Sequence, residues 1–140
     1  MGIKRYEDLE VWKIAHQAVL ATYRITAKFP ADERFGLVSQ MRRAAVSMAA
    51  NIVEGFGRRH PNDKVKFYNY SQSSTGELSY FFRLSKDLGY VKDSSGVDAL
   101  LSSSGRMLQR LVQVTSGRLK ARPPSDGSPP SPPQLPNSNF

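Results

Sequence analysis

The chain has 140 residues and no cysteine, and twenty Lys and Arg against twelve Asp and Glu leave a net charge of +8. The missing cysteines exclude disulfides and thiolate metal sites, and His16 and His60, 44 positions apart with no carboxylates at ligand spacing, give no zinc motif. The excess charge lies in the first 120 residues, because Arg122 and Asp126 are the only charges beyond them and cancel.

A basic domain attracts polyanions, of which nucleic acid is the commonest partner; the plainer alternative is charge that only aids solubility. No run approaches eighteen apolar residues, and Met1–Arg5 leads straight into polar positions. Neither a membrane span nor a signal peptide is expected, and the default location is the cytoplasm. The length suits one domain with a modest core.

The periodicity is helical throughout. In the first segment Val11, Ala15, Ala18, Thr22, Ile25 and Phe29 step by three and four, with Leu9, Trp12, Val19 and Tyr23 as a second stripe beside them. A helix with two apolar stripes is covered on more than one side. FPADERFGL breaks the chain, and Asp32 is the expected N-cap of the second helix, with Glu33 at the positive end of its dipole. That helix carries Val38, Met41, Ala45, Met48 and Ile52 inward, widened by Val46, Ala49, Val53 and Phe56. Opposite runs a narrow polar strip, Gln40, Arg43, Ser47, Asn51 and Glu54, which reads as a structural network between helices. Gly55 and Gly57 are expected to release the helix through a left-handed residue, with Phe56 still packing inward.

A third helix follows Pro61, capped by Asn62 or Asp63, with Phe67, Tyr70, Ser74, Leu78, Phe81, Ser85 and Leu88 as its inward stripe. The small residues of SQSSTGELS, Gly76 included, are expected to let neighbouring helices approach closely. DLGY ends the helix, with Gly89 in the left-handed position and Tyr90 covering the last turn. A fourth helix starts at SSGVD, where Ser95 and Asp98 resemble a capping box, and continues through Val97, Leu101, Ser104, Leu108, Leu111, Thr115 and Leu119. Four helices with short connections predict an all-α, antiparallel up-down four-helix bundle over residues 1–120. Residues 121–140 hold seven of the nine prolines and read as a disordered, partly polyproline II tail, either spare or a PxxP-type ligand.

Catalysis is hard to build from these residues. Glu54 with Asn51 and Arg43 is the one polar set on a mostly apolar helix, and a lone glutamate without partner or metal is weak ground for a general base. His16 reads as a helix-surface or interface histidine and His60 as a polar loop residue. GFG lacks the preceding strand, the third glycine and the Gly-Lys-Ser/Thr of nucleotide-binding loops. The densest basic region is FGRRHPNDKVK, with Arg58, Arg59, Lys64 and Lys66 against one acid, Asp63. Arginines beside a helix N-terminus are good phosphate donors, because guanidinium forks and free backbone N–H groups both face outward. Arg42 and Arg43 are secondary candidates, Arg42 for a subunit contact as much as for an anion. Phe67 and Tyr70 are assigned to the core rather than to base stacking.

RRAAVSMAANIVEGFGRR, followed by KFYNYSQSSTGELSYFFRLSKDLGYV and preceded by YEDLEVWKIAHQAV, resembles the bacterial 23S rRNA-intervening-sequence protein family over about residues 6–118. The resemblance implies a four-helix up-down bundle assembling as a cyclic homo-oligomer, typically a pentamer. It also implies a fold similar to the accessory protein of diversity-generating retroelements, a basic pentamer that works with a reverse transcriptase and nucleic acid. No catalytic residues carry over, and the proline-rich tail lies outside the pattern. The expected function is that of a non-enzymatic oligomer without cofactor or metal. It would bind structured RNA through Arg58, Arg59, Lys64 and Lys66, with Arg42 and Arg43 less central. The alternative is a scaffold whose ring surface or proline-rich tail recruits a protein partner.

Overall fold

A computed structural model describes residues 2–120, and the expectations for the proline-rich tail lie outside the described residues. Four α-helices account for most of them: α1 (Glu10–Thr26), α2 (Leu37–Gly57), α3 (Pro61–Asp87) and α4 (Ser95–Thr115), with no strand among the described residues. Each helix packs against two others in the cycle α1–α2–α3–α4–α1, so one core runs along the centre of a four-helix bundle.

The second helix follows its sequence pattern closely. Val38, Met41, Ala45, Met48 and Ile52 are all buried, and Met41, Met48 and Ile52 are among the largest side chains with no exposure. Each such side chain contributes about 1.5–3 kcal/mol by leaving water. The widened face is less deeply packed, for Ala49, Val53 and Phe56 are half-buried and Val46 is exposed. On α1 the main stripe is buried from Val11 to Phe29, except that Thr26 replaces the half-buried Ile25. Thr22 and Thr26 are accepted there because their hydroxyls donate to the carbonyls of Ala18 and Thr22, at 2.7 Å each.

The inward face of α3 differs from the expected one. Tyr68, Ser71, Thr75, Leu78, Phe82 and Ser85 are buried, while Tyr70 and Leu88 are exposed and Phe67 and Phe81 half-buried. The aromatic runs at 67–70 and 80–82 offer a ring in either phase, and the hydroxyl residues decide between them. Ser71 donates to the Met48 carbonyl of α2 at 2.6 Å, Thr75 to the Ser71 carbonyl and Ser85 to the Phe81 carbonyl. With these three hydroxyls satisfied, the small polar residues pack between helices at little cost. Gly76 is not part of this seam, for it is exposed with open space around it. Contacts between α2 and α3 run in opposite order along the two helices: Met41 meets Ser85, Met48 meets Ser71, and Gly55 meets Tyr68.

Helix ends correct several further expectations. Asp32 does not cap α2; it lies in a 3-10 turn over Ala31–Glu33, and Glu33 Oε1 accepts from the Leu37 amide at 3.4 Å. Glu33 Oε2 also accepts from the Tyr90 hydroxyl at 3.0 Å, so one carboxylate ties the start of α2 to the turn after α3. The α3 helix starts at Pro61 itself with His60 in the cap position, and neither Asn62 nor Asp63 serves as cap. At α4 the cap residue is Ser94 rather than Ser95; its hydroxyl donates to Asp98 at 2.7 Å, and Asp93 accepts from the Ser95 amide.

Gly89 has φ 82° and the Tyr90 amide reaches back to the Ser85 carbonyl, a Schellman turn as expected. Gly117, with φ 81°, closes α4 in the same way, which the sequence pattern did not flag. Gly55 and Gly57 release nothing through a left-handed residue: both belong to α2, which ends because Arg58 is extended. Gly55 is buried for a different reason. A Cβ there would stand 2.6 Å from Tyr68 Cε1 and 3.2 Å from the Lys64 carbonyl. Tyr68 is only 3% exposed, and its burial pushes the phenol pKa up to about 12.

The two glycines therefore respond oppositely to alanine. Gly55→Ala should destabilise the bundle by about 1–3 kcal/mol through overpacking, and Gly76→Ala should stabilise it by up to about 1 kcal/mol through helix propensity. Urea unfolding of the two variants checks both signs; a tolerated Gly55→Ala would contradict the close approach of α2 and α3.

Candidate nucleic-acid interface

The turn between α2 and α3 brings the basic sequence together at one corner of the bundle, and the four cations there hold different positions. Lys64 points back toward α2, where its ammonium donates to the Phe56 carbonyl at 2.8 Å and the Gly55 carbonyl at 3.3 Å. It thus satisfies carbonyls at the negative end of the α2 dipole, and partial burial lowers its pKa. Its ammonium also lies 5.6 Å from the centre of the Phe56 ring. Arg58 pairs with Glu54 at 2.6 Å, one turn earlier on α2, and covers the Phe67 ring at 4.6 Å. Arg59 is exposed and makes no hydrogen bond or ion pair among the described residues. Lys66 is exposed, its ammonium 5.9 Å from the Phe67 ring centre.

Arg42 and Arg43, side by side in sequence, separate in role. Arg42 is half-buried and reaches across to α1, donating to Thr26 Oγ1 at 3.0 Å and the Tyr23 carbonyl at 3.4 Å while lying 4.6 Å above the Tyr23 ring. It satisfies the end of α1 much as Lys64 satisfies the end of α2. Arg43 is exposed and donates to Gln40 at 3.0 Å. The polar strip on α2 consequently divides into three groups. Gln40 holds Arg43, Asn51 holds Ser47, and Glu54 holds Arg58. Among the strip residues themselves Ser47 is hydrogen-bonded to another helix, through a 2.8 Å hydroxyl–hydroxyl bond to Ser74 of α3. His16 is exposed and stacks on Trp12 with ring centres 4.8 Å apart, and His60 is exposed at the α3 start.

Two exposed aromatic residues differ from what the sequence pattern signals. Tyr70, assigned to the core, is 47% exposed beside Phe67 at the basic corner. Phe35, in the break before α2, is 89% exposed, and with Tyr23, Val38, Val46, Arg34 and Arg43 it lines a groove of about 650 Å³ on the α1–α2 side. Phe35 belongs to neither helical stripe, so no periodicity flags it. No group of acidic or histidine side chains among the described residues is arranged to hold a metal ion, and no helix there is long and apolar enough to cross a membrane.

The contrast between anchored and outward cations is measurable. Lys64→Ala and Arg42→Ala should each lower stability by roughly 1 kcal/mol, the loss of charge-assisted bonds to helix-end carbonyls for Lys64 and to the Thr26 hydroxyl and Tyr23 carbonyl for Arg42. Arg59→Ala should leave it within about 0.5 kcal/mol. Thermal unfolding of the three variants tests this, and an equal loss for Arg59→Ala would contradict its outward placement.

No curated protein matches the chain. The sequence profile described as 23S rRNA-intervening sequence protein matches residues 7–110, which takes in α1 to α3, the basic corner and most of α4. The chain belongs to the 23S rRNA-intervening sequence protein family.

Proposed function

We propose that this protein is a non-enzymatic, oligomeric four-helix bundle that acts in the cytoplasm by binding nucleic acid, structured RNA foremost, through phosphate contacts. The observation that carries the reading is the outward pair Arg59 and Lys66 at the α2–α3 corner, on a chain of net charge +8. Arg58 and Lys64 support that corner from behind, and Arg43 adds exposed charge further along α2. Of the two residues that a catalytic reading would use, Glu54 is engaged by Arg58 and His16 stacks on Trp12, which favours a binding role.

The reading includes an antiparallel up-down course, supported by the opposite order of contacts along α2 and α3. It also includes a cyclic homo-oligomer, with the pentamer suggested by the family resemblance. Exposed Phe35, Tyr23 and Val46 around the α1–α2 groove supply apolar surface for such an assembly. Five copies would carry about +40, a steep field for a polyanion. The same groove favours a second reading, a scaffold that recruits a protein partner.

Gel-shift titrations with ribosomal RNA fragments, from roughly 50 to 300 mM salt, test the first reading. Affinity should fall by about tenfold or more over that range with little sequence preference, and the double variant Arg59→Ala/Lys66→Ala should flatten the logarithmic salt slope by about two. Absence of binding at the lowest salt would contradict it.

A further inference from the structure

The basic corner carries an aromatic pair that the core does not use. Tyr68 fills the α2–α3 seam, and its neighbours Phe67 and Tyr70 are left on the outer side of α3. Their rings meet edge to face, with centres 5.7 Å apart at 86°, and the guanidinium of Arg58 covers Phe67 while held by Glu54. These contacts brace the Tyr70 ring on one edge, which reduces the freedom to be lost when something packs on its open face. Lys66 lies one helical turn before Tyr70, and Arg59 projects from the adjoining turn.

We propose that Tyr70, braced by Phe67, is a stacking platform for an unpaired nucleobase, so that this corner binds single-stranded stretches of RNA or DNA in preference to fully paired duplex. The inference rests on the nucleic-acid reading above and names the form of nucleic acid that the site takes. Every base has a π-face, and an exposed ring flanked by cations is the general solution for holding one strand without reading its sequence. Residues four apart on a helix are neighbours about 5–6 Å apart at Cβ, so Lys66 meets the phosphate of a nucleotide whose base lies on Tyr70. A paired helix keeps its bases within its own stack and offers the same cations only phosphates. An acidic peptide likewise satisfies Arg59 and Lys66 but leaves Tyr70 without a partner.

The test compares three probes of about ten nucleotides by fluorescence anisotropy at low salt: oligo(U), an abasic strand of equal phosphate count, and a blunt RNA duplex. Oligo(U) should bind about tenfold more tightly than either of the others, the worth of one good base–aromatic stack. Tyr70→Ala should remove that advantage and leave duplex binding within about twofold, whereas Tyr70→Phe should retain it. Equal binding of oligo(U) and the abasic strand by the unmodified protein would overturn the proposal, as would equal losses on all three probes in Tyr70→Ala. Displacement of oligo(U) by polyglutamate as effectively as by unlabelled oligo(U) would also overturn it, since charge alone would then suffice. If duplex still binds in a salt-dependent way while these results go against stacking, only the platform fails. If no probe binds, the nucleic-acid reading fails with it.

Discussion

The approach of α2 to α3 governs the rest of the bundle, because at Gly55 the Tyr68 ring occupies the space that any other side chain would need. Further along the seam the Met48 carbonyl accepts from buried Ser71, and Ser47 joins Ser74. A glycine, small hydroxyl residues and methionines make this contact, and each polar atom named here has its partner. Such a seam depends on close fit, since protein interiors are packed to the density of organic crystals. Removing a methylene or adding one at these positions alters the fit directly.

The same seam decides which charges and rings face outward. With Tyr68 turned in against Gly55, α3 presents Lys66, Phe67 and Tyr70 on its other sides. Lys64, on the inner side of the first turn, is drawn onto the last carbonyls of α2, leaving Arg59 free of the bundle. Arg42 repeats the device at the opposite junction, where it fastens α2 to the end of α1. A run of like charges in the sequence therefore divides into cations that hold helix ends and cations that face solvent, and the second kind meets a phosphate without giving up a helix-end contact.

Much of the fold is legible in the sequence where one residue type has one role. The apolar spacing of α2 identifies its buried face, and Gly89 followed by Tyr90 identifies the end of α3, because glycine adopts φ near 80° without strain. The face of α3 is not legible in the same way, because its aromatic runs place rings on both sides and the buried stripe is carried by Ser71, Thr75 and Ser85, whose suitability shows only once their acceptors are known. Asp32 has the right chemistry for a cap, but the chain turns through Ala31–Glu33 and brings Glu33 to the α2 start instead. At the candidate site, the sequence gathers the basic residues but cannot separate Lys64 from Lys66, two positions apart on a helix and facing different ways. The exposure of Tyr70 and Phe35 is likewise a consequence of packing, and no local spacing announces it.

Photo-crosslinking asks directly whether nucleic acid binds at the α2–α3 corner of the bundle. An unpaired oligonucleotide carrying 4-thiouridine, irradiated with the full-length protein at low salt and digested for peptide mass spectrometry, should mark the segment from Arg59 to Tyr70, with Tyr70 or Phe67 as the modified ring. Crosslinks concentrated on the groove around Phe35 and Val46, or scattered over the basic surface without preference, would contradict it.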